Sequence, residues 1–209
     1  MTNTITFLIA MLITINSFGQ SFEGKIVYSN KYHSKIPNLT DQQFTSMMGS
    51  TQEYFIKGGT YKSINNGSYF QWQLYVNIEN KHYSKVSNSE TLSWIDGTKN
   101  KDEILKVETN KGVIEILGYK CDEIIFTCKS GTQKYYFNAK LSVDPKLYIN
   151  HKFGNWYDYL LKTNALPLKM IVSTAEMDEE SVATDVKKMK LTDSLFDLPV
   201  NVVTKKSAY

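Results

Sequence analysis

Residues 68–77 read SYFQWQLYVN, and the fold follows from how they alternate. Phe70, Trp72, Leu74 and Val76 fall at every second position and face one way, while Tyr69, Gln71, Gln73 and Tyr75 face the other. That period describes an antiparallel strand with one buried and one exposed face. Working outward, shorter runs of the same texture occur at 22–29, 53–57, 60–64, 91–95, 103–109, 113–117, 119–128, 133–139, 168–174 and 181–191. Between them lie Gly58-Gly59, Asn66-Gly67, Asp96-Gly97, Asn110-Lys111-Gly112 and Ser130-Gly131, each able to supply the positive φ of a tight hairpin turn. Many short strands joined in this way predict an antiparallel meander.

Two segments break the period. Residues 40–48, TDQQFTSMM, place Thr40 and Gln43 in capping-box spacing and Phe44, Met47 and Met48 on one side of a short helix. Residues 155–162 predict a second, stronger helix, in which Phe153, Trp156, Tyr157, Leu160 and Leu161 form a single apolar stripe. Asn164 and Pro167 end it.

The chain has 209 residues, of which 42% are hydrophobic and 22% charged, within the range of ordinary globular domains. Its 24 basic residues are all Lys, which removes the bidentate guanidinium grip on phosphate and carboxylate. A net charge of +3, thinly spread, carries no nucleic-acid footprint. Residues 5–15, ITFLIAMLITI, are apolar but shorter than the roughly 20 residues a membrane-spanning helix needs. They predict a signal-peptide core, with Ser17-Phe18-Gly19 as the small residues before a cut at Gln20. No later stretch approaches the length of a transmembrane helix, so the expected product is exported, in the periplasm or outer envelope, with no span after the signal is removed.

Motifs for chemistry are sparse. Cys121 and Cys128 are the only cysteines. Seven strand steps of about 3.3 Å would separate them by about 23 Å, far beyond the roughly 7 Å limit of a disulfide, so two buried free thiols are expected. His33, His82 and His151 have no metal-ligand spacing, and no metal or other cofactor is expected. His151 near Asp158 could form a base with an orienting carboxylate, although a loop histidine is the simpler account. No nucleophile elbow, phosphate loop or EF-hand spacing occurs, and no catalytic residue is assigned. Aromatic residues, by contrast, are plentiful: 3 Trp, 14 Tyr and 10 Phe. They suit either an ordinary β-protein core or a pocket between a sheet and its cover helix.

The stretch Ile116-Leu117-Gly118-Tyr119-Lys120-Cys121, followed by a hairpin and an aromatic-rich segment through Trp156 to Leu166-Pro167-Leu168, resembles exported bacterial proteins of the GLPGLI-like group. It is also distantly similar to the lipoprotein-carrier superfamily typified by LolA. The resemblance covers roughly residues 22–199. The GLPGLI sequence itself is absent, with residues 163–168, TNALPL, in the comparable place. The resemblance implies a mainly β (α+β) fold, a curved antiparallel sheet or unclosed β-barrel with one or two helices on its concave face. It supplies no catalytic residues, and the Arg that those carriers use to hold a closed state has no counterpart here.

The expected organisation is a signal peptide at 1–19 and a single β-rich, LolA-like domain at 20–209. Its expected role is non-enzymatic: binding a hydrophobic small molecule or lipid in the hollow of the half-barrel, with an envelope protein as a possible further partner. The candidate lining is Phe70, Trp72, Leu74, Trp94, Trp156, Tyr157 and Leu160, with the second helix over the sheet face that carries the first three. The alternative is a scaffold whose core is filled by its own side chains. Intact mass of protein recovered after export should begin at or next to Gln20. A mass that retains residues 1–19 would overturn both the signal segment and the envelope location.

Overall fold

The computed structural model describes residues 21–208; the expected signal segment lies outside them. Twelve strands are present among these residues: β1 (Gly24–Ser34), β2 (Thr51–Lys57), β3 (Thr60–Asn65), β4 (Phe70–Val76), β5 (Lys81–Val86), β6 (Leu92–Asp96), β7 (Ile104–Ile116), β8 (Tyr119–Cys128), β9 (Gly131–Ser142), β10 (Ala165–Thr174), β11 (Met177–Lys188) and β12 (Thr204–Lys206). They form one sheet in the order β12-β6-β5-β4-β3-β2-β1-β11-β10-β9-β8-β7. Helices α1 (Asp41–Met48) and α2 (Trp156–Thr163) complete the fold. All pairings are antiparallel except β12 on β6, which is parallel.

The sheet is curved and does not close. β3 and β9 are five strand steps apart, about 24 Å in a flat sheet. Yet Tyr61 of β3 lies 6.1 Å from the Trp156 ring and Tyr135 of β9 lies 4.3 Å from the Tyr159 ring, positions one turn apart on α2. The sheet therefore wraps around that helix, and the core sits between them. Tyr28, Ile56, Ile124, Phe126, Leu166 and Leu168 from the strands meet Tyr159 and Leu160 from α2 there. α1 is held by the expected capping box, with the Gln43 N–H donating to the Thr40 hydroxyl at 3.2 Å. It buries none of its residues and touches the sheet mainly where Phe44 meets Tyr32, 5.4 Å between ring centroids.

Several expectations are corrected. β5 and β12 were not anticipated, because KHYSKV and TKK carry too few apolar residues to show a period. The runs expected at 103–109 and 113–117 form one strand, Ile104–Ile116, instead of two. Asn110-Lys111-Gly112 is a bulge inside β7, pinned to Asp122 by the Gly112 N–H (2.9 Å) and Lys111 Nζ (2.7 Å). The buried ridge of α2 runs through Tyr159, Leu160 and Thr163, while Leu161 is 53% exposed. Tyr159 and Thr163 read as polar, but the phenol ring packs inward and the Thr163 hydroxyl donates to the Tyr159 carbonyl at 2.9 Å. Gly97 serves close approach and not a positive φ: a Cβ there would lie 2.2 Å from Asn80 Oδ1. Cys121 and Cys128 are free and buried, as expected.

The β7–β8 hairpin turns through Leu117-Gly118, both left-handed at φ 50° and 77°. A two-residue turn of this kind prefers Asn-Gly, and an ordinary side chain in that conformation costs about 1–2 kcal/mol. Leu117 is 47% exposed and gains little burial in return. Leu117→Asn should therefore raise stability by about 1 kcal/mol, seen as a higher urea midpoint at unchanged slope. A lower midpoint would show that contacts of the leucine outweigh its backbone strain.

Candidate ligand-binding site

On the concave face, beside the first turn of α2, the core leaves a hollow of about 160 Å³. Alternation along each strand builds its walls: Tyr28 from β1, Gln52 and Tyr54 from β2, Tyr61 and Ser63 from β3, Gln73 from β4, and Pro167 and Met170 from β10. Trp156 covers it from α2. Register fixes the neighbours, since Tyr54 is paired with Ser63 and Ser63 with Gln73. The Tyr54 and Tyr61 rings lie 5.2 Å apart, with Trp156 6.1 Å from Tyr61.

No charged side chain lines the hollow. Burial pushes the Tyr28, Tyr54 and Tyr61 phenols up, so all three are neutral hydroxyls. The Tyr28 hydroxyl donates to the Pro167 carbonyl at 2.7 Å. Tyr54 OH, Ser63 Oγ and Trp156 Nε1, all buried, have no hydrogen-bond partner among the described residues. Each such group costs about 1–3 kcal/mol when left unpaired. Three of them border one small space, where their hydrogen-bonding capacity is open to a water or a ligand.

The position of Trp156 is set by the segment that precedes α2. The Lys152 and Phe153 N–H groups both donate to the Gly97 carbonyl, at 2.7 and 3.0 Å. Gly154 and Asn155 then turn through the left-handed region, at φ 63° and 61°. Asn155 is buried: its side-chain oxygen accepts from Asn100 at 2.6 Å and its amide donates to Gln133 at 3.4 Å. Asn164, also left-handed, ends the helix as expected, its N–H donating to the Leu160 carbonyl.

Of the seven residues proposed from sequence, Trp156 and Leu160 face the concave side. Tyr157 is half-buried beside them, with Lys152 Nζ 3.6 Å from its ring centre. The other four lie elsewhere. Trp72, Leu74 and Trp94 are on the outer face, where Leu74 pairs with Lys62 and Tyr83, and Trp94 with Tyr83. Lys62 Nζ stands 5.3 Å over Trp72, and Lys81 and Lys206 stand 4.9 and 5.3 Å over Trp94. A bulge between Phe70 and Trp72 pairs Phe70 with Val86, outside the hollow. The expectation that α2 covers Phe70, Trp72 and Leu74 is thus corrected: α2 covers the Gln73 and Tyr75 side of β4. That side read as polar because tyrosine and glutamine score as polar, yet Tyr75 is 1% exposed.

Sequence reading missed Tyr54, Tyr61 and Ser63. The signal was present, since period two on β2 and β3 sets Tyr54 with Ile56 and Tyr61 with Ser63. His151 lies in the loop before α2, as expected, but its side chain is buried there. It is 1% exposed and bonds to Tyr61, its Nε2 2.7 Å from the phenol oxygen, with no part played by Asp158. A wider depression of about 640 Å³ crosses β1, β11, β10 and β9, but it opens broadly and its Asp178 is already paired with Lys35 at 2.6 Å.

No helix among the described residues is long and apolar enough to cross a membrane, and no group of three metal-ligating side chains occurs among them. No family model matches the chain, and no curated protein matches it. Among solved structures, the chain is similar to PNGF-II at 16% identity and a TM-score of 0.51, over 90% of this chain and 32% of that one. It is also similar to the LolA superfamily protein NE2245 from Nitrosomonas europaea, at 11% identity and a TM-score of 0.37, over 87% of this chain and 92% of that one. The chain spans about a third of the length of PNGF-II, and the likeness to it is one of fold.

Proposed function

We propose that this protein is a non-catalytic, exported binding module that holds the compact end of a hydrophobic ligand in the hollow under Trp156. The observation that carries this reading is the grouping of Tyr54 OH, Ser63 Oγ and Trp156 Nε1, buried and unpaired, around a space walled by aromatic rings. Aromatic faces favour a flat or ring-shaped group. Trp156 Nε1 can only donate, whereas the tyrosine, serine and glutamine groups can donate or accept. The matching ligand portion is uncharged, carries at least one acceptor, and is small, because about 160 Å³ lies below the roughly 300 Å³ at which drug-sized pockets begin. A whole acyl chain would need displaced side chains; a ring or amide end group would not. The apolar run at 5–15 and the resemblance to exported envelope proteins of the GLPGLI-like group support the location.

A scaffold reading has its own support, since buried side chains of the chain itself, seven tyrosines among them, fill the core under the sheet. Native mass spectrometry of protein purified from its own envelope fraction separates the two, a retained uncharged ligand being expected for the binding module and an unliganded mass for the scaffold. Tyr54→Phe sharpens the test. Removing the unpaired hydroxyl should stabilise the protein by about 1–3 kcal/mol while reducing the retained ligand. Retention equal to that of the parent protein would remove the hydroxyl from recognition.

A further inference from the structure

Behind the Tyr61 wall of the hollow, two imidazoles are packed into the core. His82 of β5 is 4% exposed and His151, between β9 and α2, is 1% exposed, with their ring centroids 6.2 Å apart. His151 packs on Tyr75 at 4.0 Å and stacks on Tyr61 at 5.8 Å with an interplanar angle of 13°. Its Nε2 meets the Tyr61 hydroxyl. Its main chain reaches the opposite wall, because the His151 carbonyl accepts from the Tyr157 N–H at 3.0 Å, one residue beyond Trp156. One residue thus secures both Tyr61 by its ring and the first turn of α2 by its carbonyl.

We propose that His151 is the positioning residue of the hollow and that, packed beside His82, it makes the hollow open in acid: a proton on this pair parts Tyr61 from the first turn of α2. The charge has nowhere to go. Facing the pair are Tyr61 from β3, Tyr75 from β4, Tyr148 from the 145–148 turn, Phe153, and Ile95 opposite His82 on β6. The titratable ones are phenols that burial keeps neutral. Among the described residues, the nearby cation Lys152 is turned onto the Tyr157 ring, and no carboxylate acts on either imidazole. The Nδ1 atoms of both rings lack a partner among the described residues, so a second proton would enter an unpaired site.

Burial holds His82 down to about 4 from its ordinary 6.5, and burial together with the His82 charge holds His151 well below it. Protons therefore favour the open form. The closed form is fully favoured above about pH 6.5, and the closed-to-open ratio falls about tenfold per pH unit and per histidine as pH drops from there toward 4.

The test uses the full exported chain with Trp72→Phe and Trp94→Phe, so that Trp156 alone fluoresces. Acrylamide quenching of Trp156 should rise as the pH is lowered from about 8 to about 4.5, across the window set by the histidines, while far-UV circular dichroism keeps its strand signal. His151→Gln, which can still bond to Tyr61 but cannot be protonated, should halve the slope of the profile. Should that variant fail to fold, His82→Gln is expected to halve the slope. Quenching that stays constant over this range, or an unaltered profile in whichever of the two variants folds, overturns the proposal. The proposal rests on the hollow being the binding site, and native mass spectrometry at neutral pH tests that separately. A retained ligand with no opening in acid defeats the latch alone. Opening in acid with no ligand retained at neutral pH defeats the binding reading alone.

Discussion

A sheet that curls around a helix without closing has to fill its concave face with its own side chains, and here tyrosine is the commonest of them, seven of 23 buried core residues. Nine of the 14 tyrosines are buried. A phenol supplies bulk along its ring but brings a hydroxyl that must find a partner once water is excluded. Tyr28 donates to the Pro167 carbonyl, Tyr75 to Asn80, Tyr135 to Gln133, and Tyr61 meets His151. The Tyr75 and Tyr135 bonds are local, to the turn after β4 and to the same strand, whereas those of Tyr28 and Tyr61 tie β1 to β10 and β3 to the loop before α2. Tyr54 and Tyr159 are the exceptions, and Tyr54 stands in the wall of the hollow.

The helix over this core is positioned less by its apolar stripe than by a polar chain at its entry. Ser130 donates to Asp102, Gln133 donates to Asp102, and Asn155 donates to Gln133 while accepting from Asn100. This chain joins the β8–β9 hairpin to the start of α2 and fixes where Trp156 begins. Asp102 also pushes the Cys128 thiol, already raised by burial, up to about 12, which leaves it protonated and unreactive. Gln133 and Asn155 are the buried members of this chain and Asn100, Asp102 and Ser130 its more exposed ones, so it runs from the surface to the entry of α2.

The outer face has a different cover. After β11 the chain runs across the back of the sheet: Glu23 accepts from the Leu191 N–H, Lys57 reaches the Leu191 carbonyl and Asp193, and Lys62 reaches the Leu195 carbonyl. It ends as β12 beside β6, with Lys206 over Trp94. Leu74, Tyr83 and Leu92 are buried on that side, so the regular apolar alternation of β4 faces the returning C-terminal segment and not the hollow.

Local sequence determined most of the strands, several of their tight turns, the capping box of α1, the end of α2 at Asn164 and the separation of the two thiols, because alternation, positive φ and rise per residue act within a few residues of chain. The tertiary structure decided which face of each strand is the inside. β4 has an apolar face and an aromatic-amide face, and a single strand offers no physical reason to prefer either, since both can be covered. The choice came from residues 80 or more positions away, the 191–206 segment on one side and Trp156 with Tyr159 on the other. The same holds for His151, whose burial depends on strands contributing Tyr61, Tyr75 and His82. A period of two shows that a strand has two faces, and only long-range packing decides which of them meets the core.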